Sequence, residues 1–407
     1  MPTYRAAWIL PIVAPPIRGG WVSAEDGLIT GIGADAPRGS VDLGDVAVLP
    51  ALVNAHTHLE LSYLRGRVAR AGRFLDWIRA VVATRREYPD PQDRTILDAA
   101  RSAIVEAQAS GTGLIGDVSN TLATAALLQD AGMTARVFYE LLAFNATDPS
   151  ARVAAACAAA DAAHRAAPTV RVSLAPHAPY SVSPAMFAAI REHLDAHAGD
   201  VSSVHLAESP EEVEFLRTGG GGWRDLLQEL GAWSDSWQTP RRSPVAYLAE
   251  MGFLGSGVLV VHAVQCSDDD LARLAALGTT VVSCPRSNRY VGVGDPPLAA
   301  FYAAGIPVGF GTDSLASVDD LQMFGELAAA RRVAPRVPAH DLLESATLSG
   351  ATALGFGREF GSIEAGKRGA LIVVRLPEHM DDVEEYLLSG VEPDAITWLD
   401  AGTPDSQ

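Results

Sequence analysis

Short apolar runs alternate with longer amphipathic segments through most of the chain. Eight runs have the length of a buried strand and are bounded by turn residues: 48–54, 113–118, 135–141, 170–175, 202–206, 257–261, 280–284 and 307–311. Segments rich in Ala and Leu at helical spacing lie between them: 96–109, 123–131, 151–166, 184–197, 268–277, 298–304 and 321–332. This alternation predicts right-handed crossovers and a parallel sheet, and therefore an α/β fold.

Eight strand–helix units favour a closed (β/α)8 TIM-type barrel over residues 47–359. The alternative is a doubly wound open sheet, which needs a glycine-rich phosphate turn after its first strand. That position holds His56-Thr57-His58 instead. Short β patterns with tight turns occupy residues 1–46 and recur in 360–407. They predict a small β-sandwich subdomain built from both termini, with two unrelated edge ribbons as the alternative.

Two segments exceed the minimal strand–helix unit. Residues 64–91 follow the first strand and carry a helical pattern at 74–85. Residues 211–251 follow the fifth strand and carry another at 223–230. Long insertions of this kind lie at the carboxyl-terminal face of a barrel, which is its catalytic face.

Composition excludes several classes of protein. The chain has 407 residues and a formal net charge of −18, which disfavours a nucleic-acid partner. No apolar run approaches the roughly 20 residues of a membrane helix, and the first residues do not resemble a signal peptide. Cys157, Cys266 and Cys284 form no CxxC pair, which favours a reducing, cytoplasmic location.

Histidines gather at the ends of the predicted strands. Five of the ten lie at or near such an end: His56, His58, His177, His205 and His262. His56 and His58 are two apart, so in a strand they project to the same side and can share one metal ion. We interpret the other five as surface residues.

Two carboxylates accompany these histidines. Glu208 comes three residues after His205, and Asp313 follows the last strand, where an N-cap role is the alternative. Several imidazoles with one carboxylate are typical of a divalent transition-metal site that leaves a position open for water. A carboxylate that is not a ligand, here Glu208, can then move protons. No GxSxG motif and no cysteine beside an obvious base offers another nucleophile.

These motifs resemble the metal-dependent amidohydrolase superfamily along the whole chain. NAHTHLELS, HAPYSVSP, HLAES, VVHAVQCSDDDL, VSCPRSN, GFGTDS and GSIEAGKRGALIVV occur in the superfamily's order, most like the branch of nucleoside, guanine, cytosine and triazine aminohydrolases. The resemblance implies metal ligation by His56, His58, His205 and Asp313. It implies that Glu208 is the proton shuttle and that His262 hydrogen-bonds the attacking water or the tetrahedral intermediate.

No lysine ends the fourth strand, where binuclear branches carry one, so one divalent ion is expected. Zinc is the default on ligand type, with iron or manganese as alternatives. Dimers are common in the superfamily, so a homodimer is one option for the assembly.

Within this branch, HTHLELS and WQTPRRSPVAY most resemble the aminodeoxyfutalosine deaminases of menaquinone biosynthesis. The resemblance implies hydrolytic deamination of 6-amino-6-deoxyfutalosine to futalosine. Glu60 and His177 would hold ribose hydroxyls. The benzoate of that substrate needs a cation, and Arg289 is preferred among six arginines in the predicted face loops. Ser314 is a further candidate for substrate contact.

Two kinds of alternative remain for the function. One is another enzyme with the same site residues: an adenosine, methylthioadenosine or S-adenosylhomocysteine deaminase, or a triazine chlorohydrolase. The other is a catalytically dead homologue that only binds. Such homologues usually lack a ligand, whereas all six catalytic positions are filled here.

Overall fold

The computed structural model of the protein describes residues 2–197 and 199–399. Residues 400–407 of the predicted terminal subdomain lie outside this range. Within it the strands are β1 (Thr3–Arg5), β2 (Trp8–Ile9), β3 (Ile17–Arg18), β4 (Trp21–Glu25), β5 (Leu28–Gly33), β6 (Val41–Asp42), β7 (Val46–Pro50), β8 (Leu52–Thr57), β9 (Thr112–Ser119), β10 (Thr134–Leu141), β11 (Arg171–Pro176), β12 (Ser202–Leu206), β13 (Val258–His262), β14 (Thr280–Ser283), β15 (Val308–Phe310), β16 (Leu371–Arg375) and β17 (Ile396–Trp398).

The helices follow the predicted alternation. They are α1 (Phe74–Arg86), α2 (Arg94–Ala109), α3 (Thr124–Asp130), α4 (Pro149–Ala166), α5 (Pro184–Ala196), α6 (Pro210–Thr218), α7 (Gly222–Glu229), α8 (Pro244–Glu250), α9 (Asp268–Leu277), α10 (Pro285–Val291), α11 (Leu298–Ala303), α12 (Met323–Val333), α13 (Ala339–Glu344), α14 (Gly350–Ala353) and α15 (Val383–Leu387). The α/β class is therefore confirmed.

Among the described residues, none of the helices combines the length and the apolar character needed to cross a membrane.

Eight parallel strands form the central part of the structure. β8 to β11 make one four-stranded sheet and β12 to β15 make another, each with neighbours in chain order. β8, β12 and β13 are buried along their whole length, as expected for strands covered on both faces. Because all eight strands run parallel, the residues that follow them lie at one edge of each sheet.

Hydrogen bonds connect the two sheets at both of their edges. The backbone N–H of His205 in β12 donates to the carbonyl of His177, just after β11, over 2.9 Å. At the other edge, Asp313 N–H donates to the His56 carbonyl over 3.0 Å. Residues from the first and the last of the eight strands therefore lie side by side.

Both termini contribute to two further sheets. One has the order β5-β4-β1-β6 and the other β17-β16-β7-β2-β3. Their facing side chains share one apolar core, which includes Ile9, Val22, Ile29, Val48 and Leu371. Since β16 pairs with β7 across more than three hundred residues of sequence, the two ends of the chain support each other.

The first apolar run differs from the prediction of one strand at 48–54. It forms two strands, β7 and β8, in different sheets. Ala51, between them, donates its N–H to the Ala370 carbonyl over 2.9 Å, so the chain leaves the terminal sheet at this residue. The local pattern could not show the break, because both halves are equally apolar.

A buried carboxylate fixes the chain directly after His58. Asp117 in β9 accepts a hydrogen bond from Leu59 N–H at 2.8 Å and one from the Thr124 hydroxyl at 2.5 Å. Leu59 begins a 3₁₀ turn, Leu59–Leu64, so Asp117 sets where the strand becomes a turn. Burial raises the pKa of Asp117 to about 8, although both hydrogen bonds oppose the shift.

We expect Asp117→Asn to change how stability depends on pH. An acid whose pKa is raised by folding binds its proton more tightly in the folded state, so stability is lost as pH rises through the folded pKa of about 8. The free energy of unfolding of the native chain, relative to Asp117→Asn, should fall by about 2 kcal/mol between pH 6 and pH 9. Urea unfolding at both pH values measures this difference, and parallel pH profiles would contradict the assignment.

Candidate active site

Three histidines converge at the carboxyl ends of the parallel strands. His56 is the penultimate residue of β8, His58 follows the strand directly, and His205 lies in β12. One ring nitrogen from each lies within 4.8 Å of the other two. The His56 ring centroid is 4.9 Å from that of His58 and 4.9 Å from that of His205. Residues separated by about 150 positions in sequence thus form one cluster.

Asp313 adds a carboxylate to this cluster. Its Oδ1 lies 3.8 Å from His56 Nε2 and 3.6 Å from His58 Nε2. Its other oxygen, Oδ2, accepts a hydrogen bond from the Ser287 hydroxyl at 2.6 Å. One oxygen is therefore fixed from behind while the other faces the histidines.

The approach of Asp313 to His56 requires a glycine in the preceding strand end. A Cβ on Gly311 would lie 2.6 Å from the His56 carbonyl oxygen and 2.8 Å from its backbone nitrogen. Asn54 and Thr312 reinforce the same contact, since the Asn54 amide donates to the Thr312 hydroxyl at 2.8 Å and accepts from its N–H at 3.1 Å. We call these contacts between residues 54–57 and 311–313 the seam.

The cluster fits a divalent metal ion. Both ring nitrogens of His56 are buried and lack a hydrogen-bond partner among the described residues, which is costly unless a cation occupies them. Burial lowers the pKa of His58 and of His205 to about 3 and holds that of His56 well below its usual range. The imidazoles are therefore neutral, as metal ligation requires, and their contacts with Asp313 are not ion pairs.

Strained backbone surrounds the cluster. Ala207, His262 and Asp313 have positive φ values of 52°, 74° and 62°, in the left-handed region that residues with a side chain rarely adopt. Each follows or ends one of the parallel strands. Such strain is found at active sites, where the surrounding structure holds it in place.

A buried carboxylate holds the strained turn that carries Glu208. Glu212 Oε1 accepts from Ala207 N–H and its Oε2 from Glu208 N–H, both at 2.9 Å. Ser209 caps α6 by accepting from Glu212 N–H at 3.2 Å. Glu208 itself is only 6% exposed. Burial, followed by the charges of Asp313 and Glu212, raises the pKa of Glu208 well above its usual range, so the folded chain favours the protonated carboxyl group more than water does.

His262 faces Glu208 across the cluster. Its Nδ1 lies 2.8 Å from the Asn288 side-chain oxygen, which can only accept, so Nδ1 carries the proton. Nε2 is then an acceptor and lies 3.6 Å from Glu208 Oε1. Burial lowers the pKa of His262, and the neutral ring is thereby favoured.

A cavity of about 270 Å³ opens onto these groups. Its polar lining includes His58, His205, Glu208 and His262. The two insertions supply much of its apolar wall, with Phe74, Trp77 and Val81 from α1 and Trp223 and Leu226 from α7. The exposed Arg79 in α1 bonds both carboxylate oxygens of Glu229 in α7, at 3.0 and 3.1 Å, and ties the two walls together.

The structure brings some of the predicted substrate contacts to this cavity and not others. His177 and Ser314 line it. Arg289 does not, because its side chain is about half exposed and bonds Asp295 at 2.9 Å beside a different pocket. The structure therefore places Arg289, the arginine preferred from sequence, outside the lining of this cavity.

Glu60 is also absent from the cavity lining, and its carboxylate is fully engaged. Oε1 accepts from Asn120 N–H at 3.0 Å, and Oε2 accepts from the hydroxyls of Ser119 and Thr121 at 2.7 and 2.8 Å. Arg85 lies 3.5 Å from Oε1. The structure thus makes Glu60 the anchor of the 119–121 turn rather than a group that faces substrate.

Sequence reasoning missed three polar residues that line the cavity: Arg85, Asn120 and Glu140. Glu140 is the penultimate residue of β10, so the criterion that selected the histidines, position at a strand end, applied to it as well. Asn120 follows β9 directly. Arg85 lies in α1, within an insertion, and no local pattern distinguished it from its neighbours.

Known proteins resemble this chain over most of its length. A model described as the amidohydrolase family matches residues 47–404. The 5-methylthioadenosine/S-adenosylhomocysteine deaminase of Moorella thermoacetica is 32% identical over 400 residues, covering 93% of this chain and 88% of that protein. The aminodeoxyfutalosine deaminase of Deinococcus radiodurans is 30% identical over 335 residues, covering 78% and 76%.

A solved structure shows the same similarity in three dimensions. An adenosine deaminase from Xanthomonas campestris, with bound zinc, superposes with a TM-score of 0.82 at 28% identity. It covers 99% of this chain, and this chain covers 92% of it. The arrangement of elements described above therefore corresponds to an experimentally known fold.

We expect the purified protein to bind one divalent ion per chain and His56→Ala to lose it. Adding Zn²⁺ to chelator-stripped native protein should raise the melting temperature, because an ion at about 1,000 times its Kd stabilises by about 4 kcal/mol. His56→Ala should show neither the ion by elemental analysis nor the shift. His164→Ala is the control, since His164 is exposed on α4 and bonds only the Val170 carbonyl. Stoichiometric metal in His56→Ala would contradict the site.

Proposed function

The chain belongs to the amidohydrolase family, and we propose that it deaminates an adenosine-type nucleoside by adding water to carbon 6 of the purine. It is a hydrolase that acts on carbon–nitrogen bonds. The observation that carries the proposal is the meeting of a histidine cluster, a protonatable carboxylate and a neutral imidazole at one end of a nucleoside-sized cavity.

Four residues would hold the ion: His56, His58, His205 and Asp313. A divalent ion bound there supplies the nucleophile, because it lowers the pKa of water from about 15.7 toward about 7. Zinc is our choice, supported by the imidazole and carboxylate ligand types and by the zinc in the Xanthomonas campestris structure.

The side chains around the cluster then transfer the two protons of the attacking water to the substrate. Glu208 takes the first from water and gives it to the ring nitrogen beside carbon 6, a role that suits a carboxylate whose pKa burial has raised. His262 Nε2 accepts a hydrogen bond from the attacking water and orients it. Asp313 takes the second water proton and passes it to the amino group. The carbon–nitrogen bond breaks, ammonia leaves, and a lactam with a protonated ring nitrogen remains.

We propose that the apolar walls of the cavity select the substituent on the sugar. These walls receive an aryl group, and Arg85 binds a carboxylate carried by that aryl group. Arg85 is the only lysine or arginine lining this cavity within residues 2–197 and 199–399, and its side chain is about one-third exposed. An aminodeoxyfutalosine-type substrate meets both requirements. A methylthio group suits the same apolar walls but leaves Arg85 without a role, so methylthioadenosine is our second candidate.

We also propose that the eight parallel strands close into a (β/α)8 barrel over residues 47–359. The seam and the His205–His177 backbone bond support closure, since they connect both pairs of sheet edges. The shared core of the terminal sheets supports a β-sandwich made from residues 1–46 and those after 360.

We expect Glu208→Gln to lower kcat for adenosine-type substrates by roughly 100-fold or more, the scale of losing an acid–base group. Glutamine keeps the shape of the side chain but can neither accept nor deliver the proton. The loss of absorbance as adenine becomes hypoxanthine measures the rate, and elemental analysis must show unchanged metal. Glu192→Gln, which makes the same change on an exposed face of α5, should retain the native rate. A near-native rate in metal-replete Glu208→Gln would remove its role.

We expect Arg85→Met to separate the two candidate substrates. A lost hydrogen bond to a charged group costs about 1.5–3 kcal/mol, so kcat/KM for aminodeoxyfutalosine should fall about 10- to 100-fold. The value for 5′-methylthioadenosine, which has no carboxylate, should change less than about threefold. Arg86→Met removes the same charge from the exposed neighbouring residue and should affect neither substrate. Equal losses on both substrates in Arg85→Met would show that Arg85 only supports the wall.

A further inference from the structure

The proposed reaction does not use one buried carboxylate in the cavity. Glu140 is the penultimate residue of β10 and is only 6% exposed, yet it lines the cavity. Its Oε1 lies 3.4 Å from His205 Nδ1, and its Oε2 is bonded to Asn120, which also holds Arg85. Burying a carboxylate is costly unless it is paired or hydrogen-bonded. Its hydrogen-bond partners therefore indicate what it does.

One oxygen of Glu140 is engaged by the wall of the cavity. Oε2 accepts from the Asn120 side-chain amide at 2.8 Å. Asn120 is fixed in turn, because its side-chain oxygen accepts from Arg85 at 3.0 Å and its N–H donates to Glu60 at 3.0 Å. Glu140 is thus held rigidly by a chain of bonds that begins at Glu60.

The other oxygen has no donor from the described part of the chain. Oε1 lies 3.4 Å from His205 Nδ1, but that nitrogen has a closer acceptor in the His177 carbonyl at 3.2 Å. Orientation of the His205 ring therefore does not require Glu140. A fixed carboxylate oxygen remains, at the side of the cavity, with its lone pairs unused.

The position of this oxygen corresponds to one part of a nucleoside. With the purine at the histidine cluster and the substituent at the apolar walls, the sugar lies between them, beside Glu140. Carboxylates are the usual acceptors for ribose hydroxyls. Glu60 cannot serve, because both of its oxygens are already engaged.

We propose that Glu140 Oε1 accepts a hydrogen bond from a ribose hydroxyl and selects ribonucleosides over deoxy analogues. The inference rests on the proposed nucleoside deaminase activity and adds a specificity-determining residue to it. Asn120 is a positioning residue, since it acts only through Glu140.

A cation bound by Glu140 is the competing explanation. Ligand atoms of Glu140, His177 and His205 also lie within 4.8 Å of one another. His205 belongs to the first cluster as well, so one imidazole would have to serve two ions. Metal stoichiometry separates the two explanations, because a second site predicts two ions per chain and the loss of one in Glu140→Gln.

The test compares adenosine with 2′,3′-dideoxyadenosine, which lacks both ring hydroxyls. Glutamine keeps an oxygen but loses the charge, so Glu140→Gln should lower kcat/KM for adenosine about 10- to 100-fold per bound metal. The value for dideoxyadenosine should change less than about threefold, and the metal content should stay at one ion. Equal losses on both substrates would show that Glu140 only supports the histidines, and would overturn the proposal.

Two controls keep the test decisive. Glu60→Gln disturbs Glu140 only indirectly, through Asn120, so its selective loss on adenosine should be smaller than that of Glu140→Gln. A larger selective loss in Glu60→Gln would transfer the role to Glu60. The native enzyme must itself prefer adenosine about 10-fold or more, and equal use of dideoxyadenosine overturns the proposal even if no variant folds. Absence of any nucleoside deamination by the native enzyme would instead refute the proposed function.

Discussion

The site depends on the seam, where the first and last of the eight parallel strands meet. His56 and Asp313 belong to segments more than 250 residues apart, and the Asp313–His56 backbone bond of 3.0 Å holds them in contact. The contact is possible only because Gly311 has no side chain and because Asn54 and Thr312 satisfy each other's polar groups. His58 and the turn fixed by Asp117 follow directly from this contact, so two of the proposed ligands and the entry to that turn depend on the seam.

Burial then determines which protonation state each histidine and Glu208 favours. The same desolvation lowers the pKa values of the histidines and raises that of Glu208, because in each case the charged form is the one that loses water. The result is a set of neutral imidazoles beside a carboxyl group that can hold a proton. This arrangement is unfavourable for an empty site, as the unpartnered nitrogens of His56 show, and a cation removes the penalty. The site and its metal are in this sense one structural unit.

Strand-end residues could be predicted from sequence, and residues placed by long-range packing could not. Position after an apolar run predicts five site residues: His56, His58, His205, His262 and Asp313. The structure brings them together, and all of them except His56 line the cavity. The resemblance to the amidohydrolases is confirmed by the family match over residues 47–404. Arg85 was missed because its position depends on how α1 packs across the cavity. The split of the first apolar run into β7 and β8 was missed because a partner strand more than three hundred residues away decides it.

Glu60 illustrates a finer limit of sequence reasoning. The sequence predicts that Glu60, two residues after the second histidine, contacts the ribose, whereas the structure places Glu60 outside the cavity lining. Glu60 is saturated by the 119–121 turn, and its influence reaches the cavity through Asn120, which presents Arg85 on one side and Glu140 on the other. The wall therefore offers Arg85 as a hydrogen-bond donor and Glu140 as an acceptor. Asn120 sets the distance between them, and the buried Glu60 fixes Asn120. Glu212 and Asn288 hold Glu208 and His262, whereas Glu60 holds this wall through Asn120. Glu140 connects the two networks, because its Oε2 is bonded to Asn120 and its Oε1 lies 3.4 Å from His205 Nδ1.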